Sequence, residues 1–183
     1  MPQFKVVPYK DALNASLWGF DGHPADWVIS VLDPGTDAPD FKRQARIMSY
    51  DHQQHVRFDL YDTLSPQPGG PGNVDKPFLQ RMGDISTRIG KNDKILVHCM
   101  GGISRSPALA IALIALQSPM DWKVTEREVT AFLVANPKCS PNPILVAEVD
   151  RALRLKGNLS SLVGRHRSCL LIGDAFDPRD AAR

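Results

Sequence analysis

The sequence predicts an α/β fold with a mainly parallel central sheet flanked by helices. Three observations carry this. Trp27 to Leu32 (Trp-Val-Ile-Ser-Val-Leu) is an apolar, β-branched run closed by Asp33-Pro34-Gly35, which reads as a buried strand ending in a turn. Ile95 to Val97 is a second apolar strand, leading into His98-Cys99 and a glycine-bearing loop. Pro107 to Leu116 then reads as a helix that is apolar on nearly all sides and must be packed against the sheet. Strands alternating with helices imply parallel pairing. A loop at the carboxyl end of a central strand is where such sheets bind ligands.

The other elements follow in order. Residues 36–46 are polar and read as loop or short helix. His55 to Tyr61 reads as a strand followed by Asp62, and Thr63 to Gly72 is a Pro/Gly-rich loop. From Asp75 to Ile89, the residues Phe78, Leu79, Met82 and Ile85 fall at helical spacing, and Gly90 ends the run. Pro107 is tolerated because it falls in the first turn of its helix. Thr125 and Glu128 have capping-box spacing and predict a helix to about Ala135. Pro137, Pro141 and Pro143 stiffen the connection to a helix over about 143–155, with Ile144, Leu145, Ala147 and Val149 as core positions. Arg165-His166-Arg167 reads as a solvated turn rather than a basic patch, and the tail to Arg183 carries no assignment.

The bulk numbers exclude several classes. At 183 residues, with 43% hydrophobic and 23% charged residues, the chain reads as one globular domain whose core spans about 27–155. A net charge of +2 is too small to argue for nucleic acid or a membrane surface. Three widely spaced cysteines form no disulfide framework and lack metal-ligand spacing, so neither cofactor nor metal is expected. The start Met1-Pro2-Gln3-Phe4-Lys5 shows no secretory signal, and no apolar run approaches membrane-spanning length. A reactive thiolate needs a reducing compartment, which points to the cytoplasm. The oligomeric state is open.

The chemistry concentrates in residues 95–106. Cys99 and Arg105 flank a short loop of Met100, Gly101, Gly102, Ile103 and Ser104 between strand and helix. Backbone amides at a helix N-terminus, on a loop turned by glycines, form a donor array for a tetrahedral oxyanion. A free thiol titrates above neutral pH, and a helix N-terminus with a nearby cation lowers that value. Arginine offers a planar fork that holds two phosphate oxygens at once, which lysine cannot. Cys139 and Cys169 read as small buried apolar side chains.

A bare Cys-x5-Arg is weak, but His98 before the cysteine, Gly102 in the loop and Ser106 after the arginine lower a chance match to on the order of one in ten thousand. His98-Cys99-x-x-Gly102-x-x-Arg105-Ser106 resembles the signature of the cysteine-dependent protein tyrosine and dual-specificity phosphatases. Val-Ile-Ser-Val-Leu-Asp-Pro-Gly, together with Ser140-Pro141-Asn142-Pro143, is similar to small bacterial members. The resemblance implies hydrolysis of phosphate monoesters on protein tyrosine, and on serine or threonine in dual-specificity members, through a phosphocysteine on Cys99. Arg105 and residues 98–104 would bind the phosphate. Ser106 would donate to the sulfur or cap the helix, with equal weight. His98 would anchor the loop. Asn142 would order the loop behind the site or simply be a turn asparagine before an N-terminal proline.

Protonating the leaving oxygen calls for a carboxylic acid within reach, and the family resemblance implies that it lies upstream, on a loop after a strand. Asp62 fits that position best, Asp59 is second, and Asp75 third because it also fits a helix cap. An aspartate satisfied by turn amides competes with Asp62. Two other functions stand beside hydrolysis of a phosphoprotein. One is a phosphopeptide-binding module without turnover. The other is a sulfur-transfer or arsenate-reducing protein, ranked lower because His98, Arg105 and Ser106 fit the phosphatase pattern.

Overall fold

Trp27–Leu32 (β2) is buried at all six positions because it lies inside the sheet with helices on both faces. The structure is a computed structural model that describes residues 1–41, 53–62, 74–118 and 121–172, with side chains as far as His166. Among these residues the sheet has the order β1-β4-β2-β3 and every pair is parallel. The other strands are β1 (Gln3–Pro8), β3 (Gln54–Asp59) and β4 (Lys94–Cys99). The register sets Ser30 opposite His98, Leu32 opposite Asp59 and Pro8 opposite Cys99. All four carboxyl ends therefore share one edge of the sheet.

Strand alternation divides the core. Ile29, Val31, Ile95 and Val97 face the larger side, while Val28 and Leu96 face a smaller cluster with Ala12, Ala15, Phe20 and Phe41. The smaller side is closed by α1 (Tyr9–Trp18). The larger side carries α2 (Lys76–Arg88), α3 (Arg105–Gln117), α4 (Trp122–Ala135), α5 (Pro143–Ala152) and α6 (Asn158–Ile172). Residues 105–115 of α3 are all buried, as its uniformly apolar sequence requires. Each fully buried Leu or Ile there, such as Leu109, Ile111 and Leu113, removes apolar surface worth about 1.5–3 kcal/mol from water.

Several boundaries differ from the sequence reading, each for a local reason. β3 stops at Asp59 rather than Tyr61, although Leu60 N still donates to Leu32 O at 2.9 Å. The Thr125/Glu128 box is not used. α4 opens at Trp122 because Asp121 Oδ1 accepts from Val124 N at 3.2 Å, and Thr125 Oγ1 donates instead to Ser118 O at 3.0 Å. α5 ends at Ala152, before Arg154 turns to a positive φ of 55°. Residues 165–167 are helix rather than a solvated turn, since α6 runs through them and His166 is buried beside Cys139. β1 and α1 were not foreseen. Residues 42–46 of the polar 36–46 stretch and the Pro/Gly loop 63–72 lie outside the described residues, as does the tail beyond Ile172. Among the described residues no helix is long and apolar enough to cross a membrane.

Candidate active site

β4 ends at Cys99, five residues bend, and α3 begins at Arg105. The Cys99 sulfur is buried and accepts from the Gly102 amide at 3.3 Å and the Ser106 hydroxyl at 3.2 Å. Gly102 takes a φ of 70°, and a Cβ there would lie 2.7 Å from the Val7 carbonyl carbon and the Pro8 nitrogen. The end of β1 is thus a wall behind the loop. Neighbouring backbone also holds three loop carbonyls. Tyr9 N donates to Met100 O at 3.1 Å, Ser140 N to Ile103 O at 2.8 Å, and Asn142 N to Ser104 O at 3.1 Å. A trans peptide points its N–H opposite to its C=O, so these anchors turn the amides of Gly101, Ser104 and Arg105 away from the flanking segments. The Met100 and Ile103 side chains are exposed on the rim.

Arg105 is only 3% exposed. Its Nη1 donates to Leu60 O at 2.8 Å and lies 3.1 Å from Asp33 Oδ1. Among the described residues its Nε has no hydrogen-bond partner, and it stands 3.7 Å from Asp62 Oδ2. Asp62 Oδ1 accepts from Ser104 Oγ at 2.7 Å and from Asn142 Nδ2 at 3.3 Å. Of the three carboxylates considered as acids, Asp62 is the one beside the loop. Asp59 pairs with Arg57 at 2.7 Å, and Asp75 caps α2 by accepting from Phe78 N at 2.8 Å. Asn142 also caps α5, its Oδ1 accepting from Ile144 N and Leu145 N, which the sequence reading did not foresee. Ser106 lies inside the first turn of α3, whose N-cap position is Ser104, and its hydroxyl is spent on the sulfur.

His98 is fully buried. Its Nε2 is 2.7 Å from Ser30 Oγ, which is in turn 2.9 Å from His55 Nε2. The rings of Tyr9 and Phe41 enclose it, with centroids at 5.9 and 5.5 Å. Burial first, and then the neighbouring His55, lowers its pKa to about 4, with the Cys99 backbone opposing. The imidazole is therefore neutral at physiological pH and ties β4 to β2 through Ser30, beside its interaction with the Cys99 backbone. Cys139 is buried behind the loop, and burial followed by the charge of Cys99 pushes its thiol up to about 11. The Cys169 side chain lies outside the described residues. Sequence reading missed Asp33 and the Val7–Pro8 wall. Asp33 was absorbed into a turn signal, and only the adjacency of β2 and β4 reveals it beside Arg105.

No family model matches the chain. It is 28% identical over 127 residues to tyrosine-protein phosphatase yvh1 of Schizosaccharomyces pombe, spanning 66% of this chain and 36% of that protein. It is 33% identical over 70 residues to dual specificity protein phosphatase 22-B of Danio rerio, spanning 38% of this chain and 37% of that one. The chain thus spans little more than a third of the length of these curated relatives. Among solved structures it superposes on the human tyrosine phosphatase-like serine/threonine/tyrosine-interacting protein with TM-score 0.56, at 20% identity over 84% of this chain and 92% of that one. It superposes on DUSP15 with TM-score 0.56, at 16% identity over 92% of both chains. The fold is that of the tyrosine and dual-specificity phosphatases. Both curated relatives are phosphatases by name, in line with the family that the loop sequence resembles.

Proposed function

We propose that the protein hydrolyses phosphate monoesters of protein tyrosine, with phosphoserine and phosphothreonine as candidate further substrates, through a phosphocysteine on Cys99. The observation that carries the reading is the meeting of three groups around one loop. These are a sulfur bonded by the Gly102 amide and the Ser106 hydroxyl, a buried arginine with an unbonded Nε, and an aspartate on the adjoining segment. In the first step the Cys99 thiolate attacks phosphorus and the bond to the ester oxygen breaks. Arg105 and the loop amides hold the equatorial oxygens, and a protonated Asp62 gives its proton to the leaving oxygen. In the second step water attacks phosphorus, Asp62 takes the water's proton, and the P–S bond breaks. Ser106 then stabilises the released sulfur by its hydrogen bond. No cofactor enters this scheme, and its reactive sulfur suits a reducing, cytoplasmic setting.

Steady turnover of p-nitrophenyl phosphate and of a phosphotyrosyl peptide by reduced protein, abolished in Cys99→Ser, is the expected result. Phosphopeptide binding without turnover would select a recognition module instead. Asp62→Asn is expected to bind substrate yet lose most turnover, whereas wild-type rates in that variant would remove Asp62 from the chemistry.

A further inference from the structure

The Asp33 carboxylate is 40% exposed, yet it lies 3.1 Å from a guanidinium that is almost wholly buried. An ion pair between two exposed groups contributes little. This one differs, because losing Asp33 would leave a buried cation under-compensated. The two carboxylates beside Arg105 are not equivalent. Asp33 and the Leu60 carbonyl both meet Nη1 at hydrogen-bonding distance, while Asp62 stands 3.7 Å from an Nε that is otherwise unbonded. An incoming phosphate can take the Nε edge and displace Asp62, with Asp33 left in place.

The turn that carries Asp33 is itself held. Thr36 N donates to Asp33 O at 3.0 Å, and Gly35 takes a φ of 84°. Arg57 on β3 reaches across, with Nη2 donating to Asp33 O at 3.3 Å and Nη1 donating to Thr36 O. Its Nε pairs with Asp59 at 2.7 Å. A continuous series of contacts therefore runs from Asp59 through Arg57 and the 33–36 turn to Arg105.

We infer that Asp33 is a positioning residue: it fixes the Arg105 guanidinium through Nη1 so that the Nε edge faces the anion, and Arg57 holds Asp33 in place to do so. This rests on the anion-binding reading of the loop but not on hydrolysis, so its primary readout is inorganic phosphate binding by calorimetry. Loss of this close ion pair to a buried cation in Asp33→Ala is expected to weaken phosphate binding on the order of tenfold. Asp33→Asn, which keeps an oxygen near Nη1 but not the charge, is expected to recover only part of that loss. Arg57→Met, which frees the turn and leaves Asp33 present, is expected to weaken binding by a smaller factor. With p-nitrophenyl phosphate the same order should appear in kcat/KM, with kcat falling as well as KM rising, because the equatorial oxygens are held in the transition state too.

Asp33→Ala that binds phosphate as well as or better than wild type would overturn the inference, because the carboxylate would then be idle or merely repulsive. Should Asp33→Ala not fold, Arg57→Met decides alone, and unchanged phosphate binding in it would overturn the inference. Wild-type protein that binds no phosphate would remove the anion-binding reading itself, and with it this inference. Wild-type protein that binds without turnover removes only hydrolysis, and the Asp33 comparison still stands.

Discussion

Replacing His98 with glutamine should remove a pH-dependent part of the folding free energy that is confined to a defined window. The buried ring is protonated only near pH 4 in the folded protein, against 6.5 for the ordinary side chain, chiefly through burial and then through His55. Between those values the unfolded chain binds a proton that the folded protein refuses, so stability falls as pH falls. Above 6.5 the contribution is present in full. The interval is worth on the order of 3 kcal/mol, a sizeable part of the 5–15 kcal/mol typical of a domain. Urea unfolding of wild type and His98→Gln at steps from pH 7.5 to 4 measures it. Carboxylates and His166 titrate in both proteins, so the difference between the two curves is the readout. The penalty of the substitution should be largest near neutrality and shrink by on the order of 3 kcal/mol toward pH 4. Parallel curves would refute a neutral His98, and a penalty that grows in acid would mean that the folded protein stabilises the charged ring.

Three further outcomes are expected. Asn142→Ala should cost about 1 kcal/mol in urea unfolding through the lost cap, and it should also slow turnover. Asn142→Asp should keep the cap yet still slow turnover, because the amide donor to Asp62 is gone. Gly102→Ala should abolish phosphate binding while Gly101→Ala is tolerated. A Cβ at 102 meets backbone at 2.7 Å and carries a left-handed φ costing about 1–2 kcal/mol, whereas at 101 the nearest atom is Ile103 Cδ1 at 4.0 Å. Cys139, raised from 9.0 to about 11, should contribute stability that is full below pH 9 and lost as pH rises toward 11. Thermal unfolding of wild type and Cys139→Ala across pH 8 to 11 checks this, and no convergence of the two curves would contradict it.

How far the fold was legible tracks how completely each segment is buried. β2 and α3 are enclosed by other elements, so their sequences are nearly pure apolar runs and could be read directly. β1 is an edge strand that alternates between exposed and half-buried positions and ends in proline, and α1 is only weakly amphipathic, so neither announced itself. Thr125 looked like a cap because spacing cannot reveal that its hydroxyl is directed to Ser118. Within the site, Cys99, Gly102, Arg105 and Ser106 could be read because one loop carries them all. Asp62 follows a strand that could be read, and the structure sets it beside Ser104 and Arg105, whereas the capping by Asn142 depends on where α5 begins. Asp33 and Ser30 could not be found in this way. Their partners, Arg105 and His98, are far along the chain, and only the sheet order brings them together.

The wall that Val7 and Pro8 make behind Gly102, and the clasp of residues 140–142 over the other side of the loop, have a consequence for biosynthesis. A ribosome releases Pro8 before Cys99, and Cys99 before Asn142. The nascent thiol therefore waits without its frame until residues 140–142 have emerged, and the shape of the loop should arrive abruptly with those contacts rather than build up in proportion to chain length.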